Sequence, residues 1–144
     1  NIRDSWLWWK SQAIAESALK KDAESWVGAK GLMQIMPETF TEIRNEINVP
    51  NDITSPRWNI ASGIYYDKKM WNYWKDPRPL KERLKFTFGS YNAGAGNILK
   101  AQKACNSKCN YWNPVKKQGK NINTWKQKET IHYVDRIFEY MGEK

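Results

Sequence analysis

Apolar residues recur along most of this chain at helical spacing. The first run, "SWLWWKSQAIAESAL", places apolar side chains on most sides of a helix from about Trp6 to Leu19. That pattern predicts a buried central helix, with Asp4 or Ser5 as its cap. Residues 20–30 are polar and carry no clear period. "MPETFTEIRNEI" predicts a helix starting at Pro37, with Phe40, Ile43 and Ile47 at i, i+3 and i+7. In "TSPRWNIASGIYYDKKMWNYW", Ser55 is placed as N-cap and Pro56 as the first helical residue, ahead of Ile60, Ile64, Trp71 and Trp74. Leu80, Leu84, Phe88 and Tyr91 give i, i+4, i+8 and i+11. A short helix is expected after Gly94 or Gly96, then a loop rich in Asn, Lys and Gly over 105–124. The last helix is expected from about Lys126 to Met141, with Ile131, Val134, Phe138 and Met141 on one stripe. The fold class is mainly α, with room for a very small β element only near residues 24–36.

Composition narrows this further. The chain of 144 residues is expected to form a single domain, 1–144, with one core and neither repeat nor linker. Nine Trp are far more than usual and imply a thick aromatic core, a sugar-binding cleft, or both. Lys and Arg number 24 against 15 Asp and Glu, a net charge of +9. Such a surface attracts nucleic acid, anionic lipid or an acidic wall polymer, or simply keeps the protein dissolved. No apolar run approaches the roughly 20 residues of a membrane span, and no signal-peptide pattern is present. Because the first residue is Asn1 and not Met, the N-terminus is expected to be a cleavage boundary or the edge of an excised piece.

Several candidate chemistries fall away on their own residues. Cys105 and Cys109, in "ACNSKCN", allow a short disulfide loop or two free thiols. With His132 the only histidine, a zinc site is not expected, and no calcium loop is visible. "SALK" (Ser17 to Lys20) matches a Ser-x-x-Lys nucleophile pattern but lacks its partner motifs. "GAGNIL" (Gly94 to Leu99) follows a helical pattern where a dinucleotide loop needs a strand, and it lacks the third glycine. His132 reads as a surface or packing residue.

Three stretches remain. Glu16 sits in an apolar helix beside Trp9 and Ala13. Burial there would disfavour its charged form and suit a general acid, whereas a solvent-facing Glu paired with Lys20 would do no chemistry. "SWVGAKGLMQIMPET" (Ser25 to Thr39) combines glycines that admit a close ligand, Met33 and Met36 as an adaptable wall, and Gln34 as a hydrogen-bonding amide. "SYNAGAGNI" adds Tyr91 and Asn92 beside a glycine turn, suited to a sugar, a base or a peptide.

Together these blocks resemble the catalytic domain of the lytic transglycosylases, the soluble type that cleaves peptidoglycan. The resemblance runs through "AESALKKDAESWVGAKGLMQIMPET", "NIASGIYY" (59–66), "SYNAGAGNI" (90–98) and "ETIHYVDRI" (129–137), in the family order and across residues 16–137. It implies a lysozyme-like α domain with Glu16 as the catalytic acid. Ser25, Met33, Gln34 and Met36 would be cleft positions, with Tyr91, Asn92 and Tyr133 lining a site for N-acetylated sugars. It implies peptidoglycan glycan strands as partner, with no cofactor, no metal, no nucleic acid and no membrane span, in a monomer. The protein would act in the bacterial envelope or, if phage-encoded, on the bacterial wall.

The sequence departs from the family at Ala95, where Pro is frequent, in the basic "LKKDAE" (19–24), and in "TWKQK" before Glu129. The Cys-containing loop is not a family hallmark. Alternatives on the same fold are a goose-type lysozyme-like hydrolase, for which Glu24 or Glu38 would hold water, and a non-catalytic wall-binding module. A basic nucleic-acid binder is the remaining class.

Overall fold

The computed structural model describes residues 5–142. Asp4, proposed as a cap, lies outside them. Helices α1 (Ser5–Ser17), α2 (Pro37–Glu46), α3 (Pro56–Tyr73), α4 (Leu80–Ala93), α5 (Ala95–Ala104), α6 (Trp112–Lys116) and α7 (Gln127–Tyr140) follow in order, with a 3-10 turn over Lys117–Asn121. They form two compact units. The first comprises the chain up to Tyr66 and from Arg136 onward; the second is Asp67–Asp135. The chain passes between them within α3 and within α7.

In the first unit α1 stops at Ser17, two residues before its expected end. Ala18 (φ 53°) and Leu19 (φ 60°) take the left-handed conformation, which ends the helix at a cost of about 1–2 kcal/mol per residue. The expectation of a buried central helix, apolar on most sides, is also corrected. Its buried side is Ser11, Gln12, Ala13 and Ser17, while Trp6 is 59% exposed. Only the inner turns of the helix reach the core; its tryptophan-rich start lies nearer solvent, where Trp8 packs edge-on against Phe138 at 4.8 Å between ring centres. Met33, Ile35, Phe40, Val49 and Ala13 form the core of this unit, covered by Ile47, Ile53, Trp58 and Ile60. Antiparallel bridges pair Glu24 with Lys30 and Lys30 with Ile35. These bridges are the very small β element expected near 24–36.

The second unit is built on aromatics. Phe86 packs against Trp74 (5.0 Å) and Trp112 (5.7 Å), and the Trp74 indole donates to Ser90 Oγ at 2.6 Å. The Arg78 guanidinium lies over Phe86 at 4.2 Å and over Trp74 at 5.3 Å; burial there pulls its pKa down. Gly94 (φ 86°) ends α4 and opens α5, so the glycines of "SYNAGAGNI" make a helix–helix joint and no phosphate loop.

The loop expected over 105–124 is corrected: it contains α6 and the 3-10 turn. Trp112 and Val115 are fully buried there, yet a five-residue helix is too short to display a period. Glu82 fixes its start by accepting from Trp112 N–H at 2.7 Å. Cys105 and Cys109 are free thiols; Cys105 turns its S–H to Ser107 O at 3.1 Å. A hydrogen bond with Cys105 pushes the Cys109 thiol pKa up.

Packing around Trp112 leaves no room at Gly89. A Cβ built there would stand 2.6 Å from the Trp112 ring, which is 1% exposed and cannot retreat. Gly89→Ala would gain up to about 1 kcal/mol of helix propensity and lose about 1–3 kcal/mol to overpacking. Urea unfolding should therefore show a net destabilisation; a more stable variant would mean that Trp112 has freedom to move.

Candidate active site

Glu16 is the penultimate residue of α1 and is half-buried. Past it, the two left-handed residues turn the chain into the 20–36 loop. Internal hydrogen bonds hold this loop. Ser25 N–H donates to Ala29 O (2.9 Å), and Ala29 N–H donates to Ser25 Oγ (3.0 Å). Gln34 adopts φ 47° and uses both hydrogens of its amide nitrogen, one to Ala23 O (3.1 Å) and one to Gly31 O (2.9 Å). Its Oε1 is thereby left to accept from a ligand. Met33 is 1% exposed and belongs to the core, so here it supports the loop from beneath; Met36, at the N-cap of α2, is half-buried.

Sequence reasoning missed what holds this loop. Asn59, at 0% exposure, donates to Lys30 O (2.9 Å) and Ile53 O (2.8 Å) and accepts from Met33 N–H (2.7 Å). Gly31 lets it in, because a Cβ there would stand 2.3 Å from the Asn59 amide nitrogen. Gly63 does the same for Met33, whose side chain would be 2.7 Å from an added Cβ. The signal was present in "NIASGIYY", where a polar residue opens an apolar helical stretch.

In the second unit, Tyr91 and Asn92 occupy the last turn of α4. Tyr133 is buried on α7, one turn beyond Thr130. The structure brings Asn92 to α7: its Oδ1 accepts from Thr130 Oγ1 at 2.7 Å, and Thr130 Oγ1 accepts from the Trp125 indole N–H at 2.7 Å. Thr130 and Trp125 were not among the sequence candidates; Thr130 stood within "ETIHYVDRI", while nothing around Trp125 suggested a role.

The discarded motifs stay structural. Ser17 Oγ donates to Ala13 O at 3.0 Å, and His132 is exposed. Glu24 lies 3.8 Å from Lys30 Nζ, and Glu38 sits exposed in the first turn of α2. Among the described residues, no group of three or more His, Cys, Asp or Glu is placed to hold a metal ion.

This mainly helical, lysozyme-like fold is that of the lytic transglycosylases. The chain belongs to the family described as the transglycosylase SLT domain, which it matches over residues 10–112. It is similar to the membrane-bound lytic murein transglycosylase F of Pasteurella multocida, 27% identical over 95% of this chain and 30% of that protein. It is 34% identical to the soluble lytic murein transglycosylase of Escherichia coli K12 over 61% of this chain and 14% of that protein. The lytic transglycosylase Slt of Pseudomonas aeruginosa, solved as an inactive mutant, superimposes with a TM-score of 0.73 at 25% identity, over 93% of this chain and 20% of that one. The chain thus spans less than a third of the length of each.

Proposed function

We propose that this chain is a catalytic domain, over 1–144, that cleaves the β-1,4 bond between N-acetylmuramic acid and N-acetylglucosamine in peptidoglycan without consuming water. Family membership supports the reaction class. The observation that carries the assignment to this chain is the setting of Glu16. It stands half-buried at the end of α1, where the chain enters through two strained residues a loop locked by its own hydrogen bonds. A general acid has to be held partly out of water beside a structured ligand-facing loop, and Glu16 has that setting.

In the reaction, protonated Glu16 donates to the glycosidic oxygen as the bond from muramyl C1 breaks. The substrate's own acetamido oxygen bonds to C1 and takes up the developing positive charge, a substrate-assisted route. Ionised Glu16 then removes the proton of the muramyl 6-hydroxyl. That oxygen attacks C1, displaces the acetamido oxygen and closes a 1,6-anhydro ring, leaving Glu16 protonated again. Internal attack is favoured by proximity.

Ser25, Gln34, Met36, Tyr91, Asn92 and Tyr133 would contact the sugars, with Met33 shaping the loop beneath. No described helix is long and apolar enough to cross a membrane. The +9 charge suits an anionic wall polymer, and we place the domain at the bacterial wall.

Mass spectrometry of the soluble products of purified peptidoglycan tests the reading. Products one water lighter than ordinary muropeptides, and resistant to borohydride, are expected. Hydrated, reducible products would instead identify a lysozyme-type hydrolase.

A further inference from the structure

Asn92 lies at the surface, yet its amide orientation is not free. The Trp125 indole can only donate, so Thr130 Oγ1, at 2.7 Å, must accept from it. The single hydroxyl hydrogen of Thr130 is then aimed at the atom of Asn92 2.7 Å away, and that atom must be the oxygen. The Asn92 NH₂ is left facing outward, able to donate and unable to accept.

The relay is itself held in place. Thr130 is 1% exposed and Trp125 is buried. Gly119 admits the Trp125 ring, since a Cβ there would stand 2.3 Å from it. The loop before Trp125 is tied to α5 by Thr124 Oγ1 donating to Asn97 Oδ1 (2.6 Å) and Asn97 Nδ2 donating to Thr124 O (3.3 Å).

We propose that Trp125 and Thr130 are positioning residues that lock the Asn92 amide as a hydrogen-bond donor, and that this donor selects the acetamido carbonyl of an N-acetylated sugar. An amide carbonyl is a stronger neutral acceptor than the hydroxyls that make up most of a glycan's polar surface. Were the Asn92 amide free to flip, it would serve hydroxyl hydrogens and carbonyls equally. The proposal rests on the reading above that Asn92 faces the glycan.

The test is a double-mutant cycle on binding of the β-1,4-linked N-acetylglucosamine tetramer, measured by calorimetry. Thr130→Val keeps the shape and removes the hydroxyl; Thr130→Ser keeps the hydroxyl. Asn92→Ala and Thr130→Val are each expected to weaken binding about tenfold. Thr130→Ser should bind as the wild type does, and Thr130→Val should add nothing in the Asn92→Ala background.

A Thr130→Val loss that persists undiminished in the Asn92→Ala background would assign Thr130 a merely structural role and overturn the proposal. Wild-type binding by Thr130→Val, with Asn92→Ala weakened, would overturn it while leaving the Asn92 contact intact. Wild-type binding by Asn92→Ala would sink the underlying contact and the proposal with it. Should Thr130→Val fail to fold, Trp125→Phe enters the same cycle, because it frees the hydroxyl to rotate and the amide to flip; wild-type binding by that variant would overturn the lock.

Discussion

Glu16→Gln is expected to lower kcat on peptidoglycan by about 10²–10⁴-fold, the share that general acid–base catalysis contributes. The substitution is nearly isosteric, and Gln is as good a helix former as Glu. It cannot protonate the glycosidic oxygen, nor take the proton of the 6-hydroxyl afterwards. Both steps are therefore lost through one side chain. Stability should hardly change. Glu16 lies at the end of α1, ahead of Ala18 and Leu19 in left-handed conformation, and an amide of the same length leaves that helix end as it is. Turbidity loss of a peptidoglycan suspension, read beside a thermal melt, separates the two effects. A folded Glu16→Gln variant that clears as fast as the wild type would remove Glu16 from the chemistry.

Asn59→Leu is expected to be the most damaging change to the fold. Leu fills a similar volume, so the effect isolates the amide. Two backbone groups lose their side-chain partner at a position with no exposure, the carbonyl of Ile53 and the N–H of Met33, while the Lys30 carbonyl keeps the Ile35 N–H at 3.0 Å. At about 1–3 kcal/mol for each of the two stranded groups, the loss is roughly 2–6 kcal/mol. That is a large share of the 5–15 kcal/mol by which a domain of this size is typically stable. Activity should fall as well, because the loop that presents Gln34 hangs from these bonds. Urea unfolding with m held constant measures the loss; a change below about 1 kcal/mol would mean that water replaces the amide and that the loop is held elsewhere.

Long helices were legible from spacing alone. Pro37 and Pro56 open α2 and α3 as their position demands, and the stripe of Val134 and Phe138 is buried on α7. Short-range pattern failed where an element is brief or its end is set by backbone conformation. The α6 turn gives no measurable period, and nothing in the composition of "ESALKK" announces that Ala18 and Leu19 will turn left-handed. The free thiols of Cys105 and Cys109 were equally open, since spacing alone permits both a bridge and none.

The site divides along the same line. Chemical capacity is carried by the order of residue types, so Glu16, Gln34 and Asn92 could be picked out as a carboxylate and two amides, and the family blocks placed in order. Direction is not a property of sequence. An amide has two ends, and only the packed fold decides which end faces outward. For Gln34 the decision comes from two backbone carbonyls brought together by the 20–36 loop. For Asn92 it comes from a hydroxyl and an indole lying 38 and 33 residues further along the chain. Hydrogen bonds between such distant groups exist only after the chain has closed on itself, which is why tertiary structure alone could assign them.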